Sequence, residues 1–225
     1  MSKIEFVKFL KSFLAESVIE SVVGDTSVRL DVVYVNGRKV LNAPHANYSY
    51  GHLHRIFQET FQQLNFSRKT FNQVLILGFG AGSVMSILQN DYQTESTVTG
   101  VEIDKVIISL AEKYFNLHNF RNLTIVNEDA YLYMERNRRT FDLIIIDLYI
   151  DNKVPEKFET LKFLEMIEKG IAKNGIVLFN KFVFDKKSGD EADDLLRKFE
   201  QTLGFTEVIT IKSKRENRML VYRNK

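Results

Sequence analysis

Three carboxylates and a run of glycines carry the chemical information in this chain. Val74-Leu-Ile-Leu-Gly78-Phe-Gly80-Ala-Gly82-Ser83 reads as an apolar strand, a turn with glycine at alternate positions, and the start of a helix. Glycine permits a tight turn and lets a ligand approach the backbone closely. The helix N-terminus adds N–H groups and partial positive charge. A tight turn shaped by packing alone is the competing reading. Glu102, in Val101-Glu102-Ile103-Asp104, falls where a second strand ends. A carboxylate there can accept hydrogen bonds from both hydroxyls of a ribose lying in the crevice outside the strand ends. Asp129, in Asn127-Glu128-Asp129-Ala130, can accept from an adenine amino group, and the neighbouring backbone N–H can bond a ring nitrogen. The same residue also suits the N-cap of a helix that begins near Ala130. Asp147 follows three isoleucines in the stretch that runs on through Leu148, Tyr149, Ile150 and Asp151. On so apolar a floor a carboxylate can take a proton, or hold a cationic nucleophile near an electrophile. A loop cap is the structural alternative.

The spacing narrows the ligand. Nicotinamide dinucleotides favour G-x-G-x-x-G, whereas the turn here is G-x-G-x-G. No Gly-Lys-Ser/Thr follows, so a phosphate-binding P-loop is excluded. Glu102 therefore points to a ribose without choosing the cofactor. Asp104 suits the cap of the next helix. His52 and His54 are two apart and do not share a helical face, so no metal site is expected. With 0 Cys, disulfide scaffolds, thiolate zinc sites and cysteine nucleophiles are excluded. That composition fits a reducing compartment, and a cytoplasmic protein is expected. A formal net charge of +2 gives no electrostatic case for nucleic acid. No run approaches the ~18 apolar residues that span a membrane.

Elements that could position these residues follow from periodicity. At roughly 150 residues per domain, 225 residues suggest one large domain with a small appendage. The first residues read as an amphipathic helix, with Ile4, Phe6, Val7, Phe9, Leu10, Phe13 and Leu14 mostly on one face. That face is expected to pack on the body of the protein or on a second subunit, so a homodimer is possible. Val18 to Val23 reads as a strand. Val32 to Val35, Asn36-Gly37 and Arg38 to Leu41 form a hairpin signal, because Asn and Gly tolerate a type I′ turn. Tyr50 to Leu64 has helical spacing. From residue 73 strands and helices alternate, with strands at 73–77, 97–101, 123–126, 141–146 and 175–180. Helices are predicted at about 82–90, 105–116, from 130, at 156–172 and at 189–203, where Gly204 suits the C′ position. Alternation of this kind implies a parallel sheet with helices on both faces. The last two strands, 206–212 and 218–222, are too close for a crossover and must pair antiparallel. Lys212, Lys214, Arg215 and Arg218 fall around their turn. A boundary near residue 64 separates an N-terminal helix, small sheet and linking helix from the rest.

In this order, VLILGFGAGS, VEID, NEDA and IIID make the chain similar to the spermidine synthase-like group of class I S-adenosylmethionine-dependent transferases. The resemblance implies a Rossmann-like sheet of about seven strands with an antiparallel C-terminal hairpin. It implies that Gly78, Gly80, Ala81 and Gly82 lie under the amino acid and ribose of S-adenosylmethionine or its decarboxylated form. Glu102 and Ile103 would serve the ribose, Asp129 and Ala130 the adenine. Asp147 would match the acid that helps deprotonate an attacking amine. Tyr50, Tyr149 and Asp151 are candidates on the substrate side, and Tyr48 and His52 for the crevice wall.

The chain also departs from the group. Ala81 stands where aminopropyltransferases carry Asp, Val40 where they carry Gln, and the loop after Asp147 lacks their Asp-Ser-Ser-Asp-Pro pattern. Methyl transfer to a small acceptor is therefore expected ahead of aminopropyl transfer. The other possibility is a protein that keeps the fold and acts by binding a partner, which a crevice plugged by Phe79 or Tyr149 would favour.

Overall fold

A computed structural model describes residues 3–212 and 216–225, so Lys214 and Arg215 lie outside the described residues. Helix α1 (Lys3–Lys11) leads into an antiparallel sheet of four strands in chain order. These are β1 (Ser17–Val23), β2 (Arg29–Val35), β3 (Arg38–Asn42) and β4 (Asn47–Ser49). The β2–β3 hairpin turns on Asn36 and Gly37, with φ of 47° and 73°, as the Asn-Gly pair demands. Strand β4 has no periodic signal of its own. It is fixed by Asn47, whose Nδ2 donates to Asn42 Oδ1 at 2.9 Å and whose Oδ1 accepts from Leu53 N at 2.9 Å. Packing of α1 on the body is realised only in part. Phe9 meets Tyr34 edge-on, but Ile4, Phe6, Val7, Leu10, Phe13 and Leu14 stay exposed. The helix is short: Phe9 packs over the β2–β3 turn and Lys8 Nζ donates to Ile19 O of β1 at 3.3 Å, while the rest of the apolar face finds no cover among the described residues.

Helix α2 (Gly51–Gln63) buries Leu53, Ile56, Phe57 and Phe61, matching its helical spacing. Seven strands follow, arranged in one sheet. They are β5 (Gln73–Leu77), β6 (Thr97–Glu102), β7 (Leu123–Asn127), β8 (Phe141–Ile146), β9 (Ile171–Val183), β10 (Thr206–Lys212) and β11 (Glu216–Arg223). The spatial order is β10-β11-β9-β8-β5-β6-β7. Strands β5 to β9 are parallel neighbours, and β11 lies antiparallel to both β9 and β10. This is the expected α/β, Rossmann-like sheet with its antiparallel ending.

Period-2 alternation assigns each strand to two cores. Val74, Ile76, Leu143, Ile145 and Leu178 join Leu30, Val32 and Leu41 of the small sheet and the apolar side of α2. Leu75, Leu77, Ile144, Ile146, Val177 and Phe179 face the other way. They meet α5 (Ala130–Arg136), α6 (Leu161–Gly170) and α7 (Lys186–Thr202). Helix α4 (Lys105–Tyr114) lies on the first side, with the brief α3 (Ser83–Ser86).

Several boundaries shift from the sequence expectation, three of them by four residues or more. The helix after the glycine turn keeps four α-helical residues and passes into a π turn over Ile87–Asp91. The helix expected from 156 starts at Leu161, because Thr160 caps it by accepting from Phe163 N at 3.3 Å. Strand β9 begins at Ile171 rather than 175 and runs 13 residues. Gly204 takes the C′ position with φ 111°, its N–H bonding Glu200 O at 3.0 Å. The chain runs from β5 outward through β6 and β7, then returns to the other side of β5 as β8. Such a reversal opens a crevice at the carboxyl ends of the strands.

Candidate functional site

A cavity of about 760 Å³ occupies that crevice, within the range typical of small-molecule sites. Its floor holds Gly78, Gly80, Glu102, Asp147 and Asn180, and the small sheet and α2 supply Tyr48 and His52. The crevice is open: Tyr149 forms wall rather than plug, and Phe79 is turned away. A Cβ on Gly100 would lie 2.3 Å from the Phe79 ring, which shows where that ring is packed.

The glycine turn is built by its neighbours as much as for a ligand. Gly78, Gly80 and Gly82 all have positive φ, at 84°, 58° and 88°. A Cβ on Gly80 would stand 2.7 Å from Ser49 Oγ, and one on Gly82 2.8 Å from Phe120. Gly78 and Gly80 line the cavity, whereas Ala81 and Gly82 do not. Ala81 is fully buried, and its N–H donates to Ser49 Oγ at 2.7 Å. The expectation that all four residues lie under a ligand thus narrows to Gly78 and Gly80, because Ser49 of β4 covers Ala81 and the rings of Phe120 and Phe79 cover Gly82.

Glu102 ends β6 with its side chain folded under the same turn. Oε2 accepts from Gly80 N at 2.8 Å and Oε1 from Asp104 N at 3.0 Å. Burial raises its pKa, against the lowering effect of those backbone bonds. Each oxygen keeps lone-pair capacity for a further donor. Ile103 also lines the cavity. Asp104 is a cap, accepting from Val106 N at 2.9 Å and Ile107 N at 3.3 Å.

Asp147 lies just past β8, where its register with β9 sets it beside Asn180. Asn180 Nδ2 donates to Asp147 Oδ1 at 2.9 Å. Burial pushes the Asp147 carboxyl up to about 7, the Asn180 bond opposes the shift, and the charge of Glu102 adds to it. A carboxyl that titrates near neutrality suits proton transfer. Tyr149 OH donates to Asn180 O at 3.0 Å and accepts from Phe182 N at 2.8 Å, so β9 holds the ring against the cavity. Burial raises the Tyr149 pKa well above its ordinary value.

Other candidate residues are placed differently. Asp129 caps α5 through Oδ1, which accepts from Tyr131 N at 2.8 Å, while Oδ2 pairs with Lys157. Asp129 and Ala130 line the cavity, but both carboxylate oxygens of Asp129 are already engaged. Tyr50 does not line it. Its ring stacks between His54 and Phe115, with centroids 5.6 and 5.0 Å away, and it belongs to the core. Tyr48, two residues earlier in β4, reaches the cavity instead. Asp151 is a clasp: Oδ1 accepts from His45 N at 2.9 Å, Oδ2 lies 2.5 Å from His45 Nδ1, and its N–H bonds Tyr48 OH. Among the described residues no group of His, Cys, Asp and Glu is arranged to hold a metal ion. No helix among them is long and apolar enough to cross a membrane.

Residues 54–210, more than half of the chain, match the family model of the spermine/spermidine synthase domain. The chain belongs to the spermine/spermidine synthase family. A polyamine aminopropyltransferase of Vibrio vulnificus is 32% identical over 117 residues, 51% of this chain and 39% of that protein. An eEF1A lysine and N-terminal methyltransferase homolog of Drosophila melanogaster is 29% identical over 142 residues, 58% of this chain and 21% of that protein. The chain thus matches well under half the length of both relatives. Among solved structures, a spermidine synthase in complex with the transition state analogue AdoDATO superposes with TM-score 0.73. It is 18% identical and covers 92% of this chain and 74% of its own. Human methyltransferase-like protein 13 in complex with SAH gives 0.65 at 18% identity, covering 78% and 83%. At these identities the structures establish the shared fold.

Of the residues lining the cavity, the sequence reading missed Asn180, Asn217 and Lys157. Asn180 had a signal, a polar residue at the end of an apolar strand, in the position that Asp147 holds one strand over. Asn217 had none, because its place depends on the register of β11 against β9.

Proposed function

We propose that this chain is an S-adenosylmethionine-dependent transferase that moves a methyl group to a small acceptor. Asp147, a half-buried carboxyl that titrates near neutrality beside Asn180, carries the reading. Of the other cavity carboxylates, Glu128 and Asp129 pair with Arg136 and Lys157, Glu16 is exposed at the edge, and Glu102 accepts two backbone N–H groups and keeps lone-pair capacity for ribose hydroxyls. Around Asp147 stand Asn180, Asn217, Tyr149 and Phe182. Uncharged amides and rings are poor partners for a polycation, which would need several carboxylates to replace its water.

The residues present fit an adenosyl sulfonium. Gly78 and Gly80 bring bare backbone to the cavity, Glu102 has lone pairs for ribose hydroxyls, and Ile103 and Ala130 offer apolar contact beside Asp129. When bound, the cofactor supplies an electrophilic carbon on sulfur. Asp147 accepts the acceptor's proton, Asn180 fixes the direction of that carboxyl, and the walls from Tyr48 and Tyr149 exclude water.

Aminopropyl transfer from the decarboxylated cofactor is the second reading, favoured by the family match and by the relatives that carry that name. Against it stands Ala81, which is fully buried under Ser49 where a carboxylate anchor would be needed. Calorimetric titration with S-adenosylmethionine beside its decarboxylated form separates the two. Tighter binding of the carboxylated form supports methyl transfer, and the reverse preference overturns it. Failure of both to bind folded protein counts against either transfer.

A further inference from the structure

The polar side chains that surround Asp147 are taken up by the protein itself. Asn180 Nδ2 donates to Asp147 Oδ1 at 2.9 Å, and Asn180 Oδ1 accepts from Asn217 Nδ2 at 3.0 Å. Tyr149 OH donates to Asn180 O at 3.0 Å and accepts from Phe182 N at 2.8 Å, so the ring, not the hydroxyl, is left for the cavity. Asp147 Oδ2 differs from these groups. It has no hydrogen-bond partner among the described residues, and it is not sealed from solvent.

Apolar side chains form the walls beside them. Tyr149, Ile150 and Phe182 come from the loop after β8 and from β9, and Val40, Tyr48 and Ile56 from the small sheet and α2. The half-buried Phe182 ring meets Phe184 with centroids 5.8 Å apart. Phe184 and Ile150 are 44% and 40% exposed, so apolar surface continues from the wall to the outside. The ionisable groups on the side of the small sheet and α2 stand apart from this surface. Glu16 and Arg55 are exposed, His45 is clasped to Asp151, and burial and the charge of Arg55 hold the His52 pKa below its ordinary value.

Charge narrows the reacting group. An anionic acceptor would meet both Asp147 and Glu102, whose charge already acts on Asp147. An ammonium would have to lie beside the sulfonium of the cofactor with one free carboxylate oxygen to answer it. A neutral O–H needs no counter-charge, and its loss of water is offset by a single charge-assisted bond to Asp147 Oδ2.

We propose that the acceptor is a phenol, with its aromatic body against Phe182 and the Tyr149 ring and its single hydroxyl on Asp147 Oδ2. The proposal rests on the methyl-transfer reading above and adds to it a substrate class, neutral aromatic molecules with one reacting hydroxyl. Offset or edge-on ring contacts hold the body in place, which makes Phe182 a specificity-determining residue. In the transfer, the acceptor's O–H proton passes to Asp147 and its oxygen bonds the methyl carbon. The carbon–sulfur bond breaks with its electron pair left on sulfur.

The test titrates 2-naphthol, 2-naphthoate and 1,4-diaminobutane calorimetrically into the full chain saturated with S-adenosylmethionine. 2-Naphthol is expected to bind at least about tenfold more tightly than either charged probe. Phe182→Ala should weaken 2-naphthol by at least about tenfold while S-adenosylmethionine affinity is retained. Phe182→Leu keeps β9 apolar in case the first variant misfolds, and should still weaken 2-naphthol by about two- to tenfold through the lost ring contact. Equal or tighter binding of a charged probe, no binding of 2-naphthol, or an affinity that survives both substitutions would overturn the acceptor class. S-adenosylmethionine is titrated alone first. Its failure to bind folded wild type overturns the methyl-transfer reading and the phenol with it, whereas loaded protein that does not prefer 2-naphthol overturns the acceptor class alone.

Discussion

A Cβ on Gly78 would stand 2.1 Å from the carbonyl oxygen of Asp147, so the glycine turn and the end of β8 meet backbone to backbone. The contact sets the width of the cavity floor between Gly78 and the proton-accepting candidate. Gly78 also has φ 84°, a conformation that other residues adopt under strain. Gly78→Ala is expected to destabilise the fold by about 2–4 kcal/mol, from strain and the forced separation of the two strand ends. Urea unfolding checks this, and an unchanged midpoint would show that the turn gives way cheaply.

Asp147 supplies a pH signature in stability. Its carboxyl titrates near 7 in the fold against an ordinary value of 3.8. Between those values the folded state keeps a proton that the unfolded chain has lost. Stability contributed by this group is therefore present at low pH, falls as pH rises toward 7, and is constant above. Asp147→Asn should match the wild type near pH 4 and exceed it at pH 8 by ~1–3 kcal/mol. Denaturation curves at the two pH values measure the difference. A variant less stable at pH 8 would contradict the raised pKa.

The same carboxyl predicts a rate profile. If Asp147 accepts the acceptor's proton, kcat/KM should climb with pH and level off above about 7. Asp147→Asn should lower kcat by about 10²–10⁴-fold with cofactor affinity retained. A profile that is flat through that range would remove Asp147 from the chemistry.

Glu102 joins β6 to the turn through two backbone donors. In Glu102→Gln, one oxygen becomes NH2 and faces either Gly80 N–H or Asp104 N–H, donor against donor. The expected cost is about 1–3 kcal/mol of stability, together with at least tenfold weaker cofactor binding. Thermal unfolding and calorimetry would follow both. Full cofactor affinity in a folded variant would rule out the ribose role.

His45 and Tyr48 clasp Asp151, tying the loop after β8 to the small sheet. The pair is partly exposed, so its effect on global stability should be within ~1 kcal/mol. Local opening is the better readout. His45→Ala should speed amide hydrogen exchange across 148–153 while leaving β5 and β8 unchanged. Equal exchange in that loop would mean that the clasp does not hold it.

Much of the fold was legible because its signals are local. The apolar runs of β5 and β8 mark strands buried on both faces, Asn36-Gly37 marks a hairpin, and Asp104 and Asp129 stand where caps belong. The place of Glu102 and Asp147 in one crevice was readable because strand ends in an alternating chain converge there. The assignment of Tyr50 failed for a physical reason. Its backbone takes φ 63° at the entry to α2, which turns the ring into the core and leaves the cavity wall to Tyr48.

Sequence alone determined the order of strands and helices, the glycine turn and the carboxylates at the strand ends, because these depend on residue type and short-range periodicity. Tertiary structure decided which of those residues share a cavity and what each is already bonded to. Ala81 is sealed by Ser49 from β4, Asp129 is engaged by Lys157, and Asp147 reaches Asn217 only through Asn180. Each of these contacts joins residues far apart in the chain, and strand order and register, rather than spacing, bring them within hydrogen-bond reach.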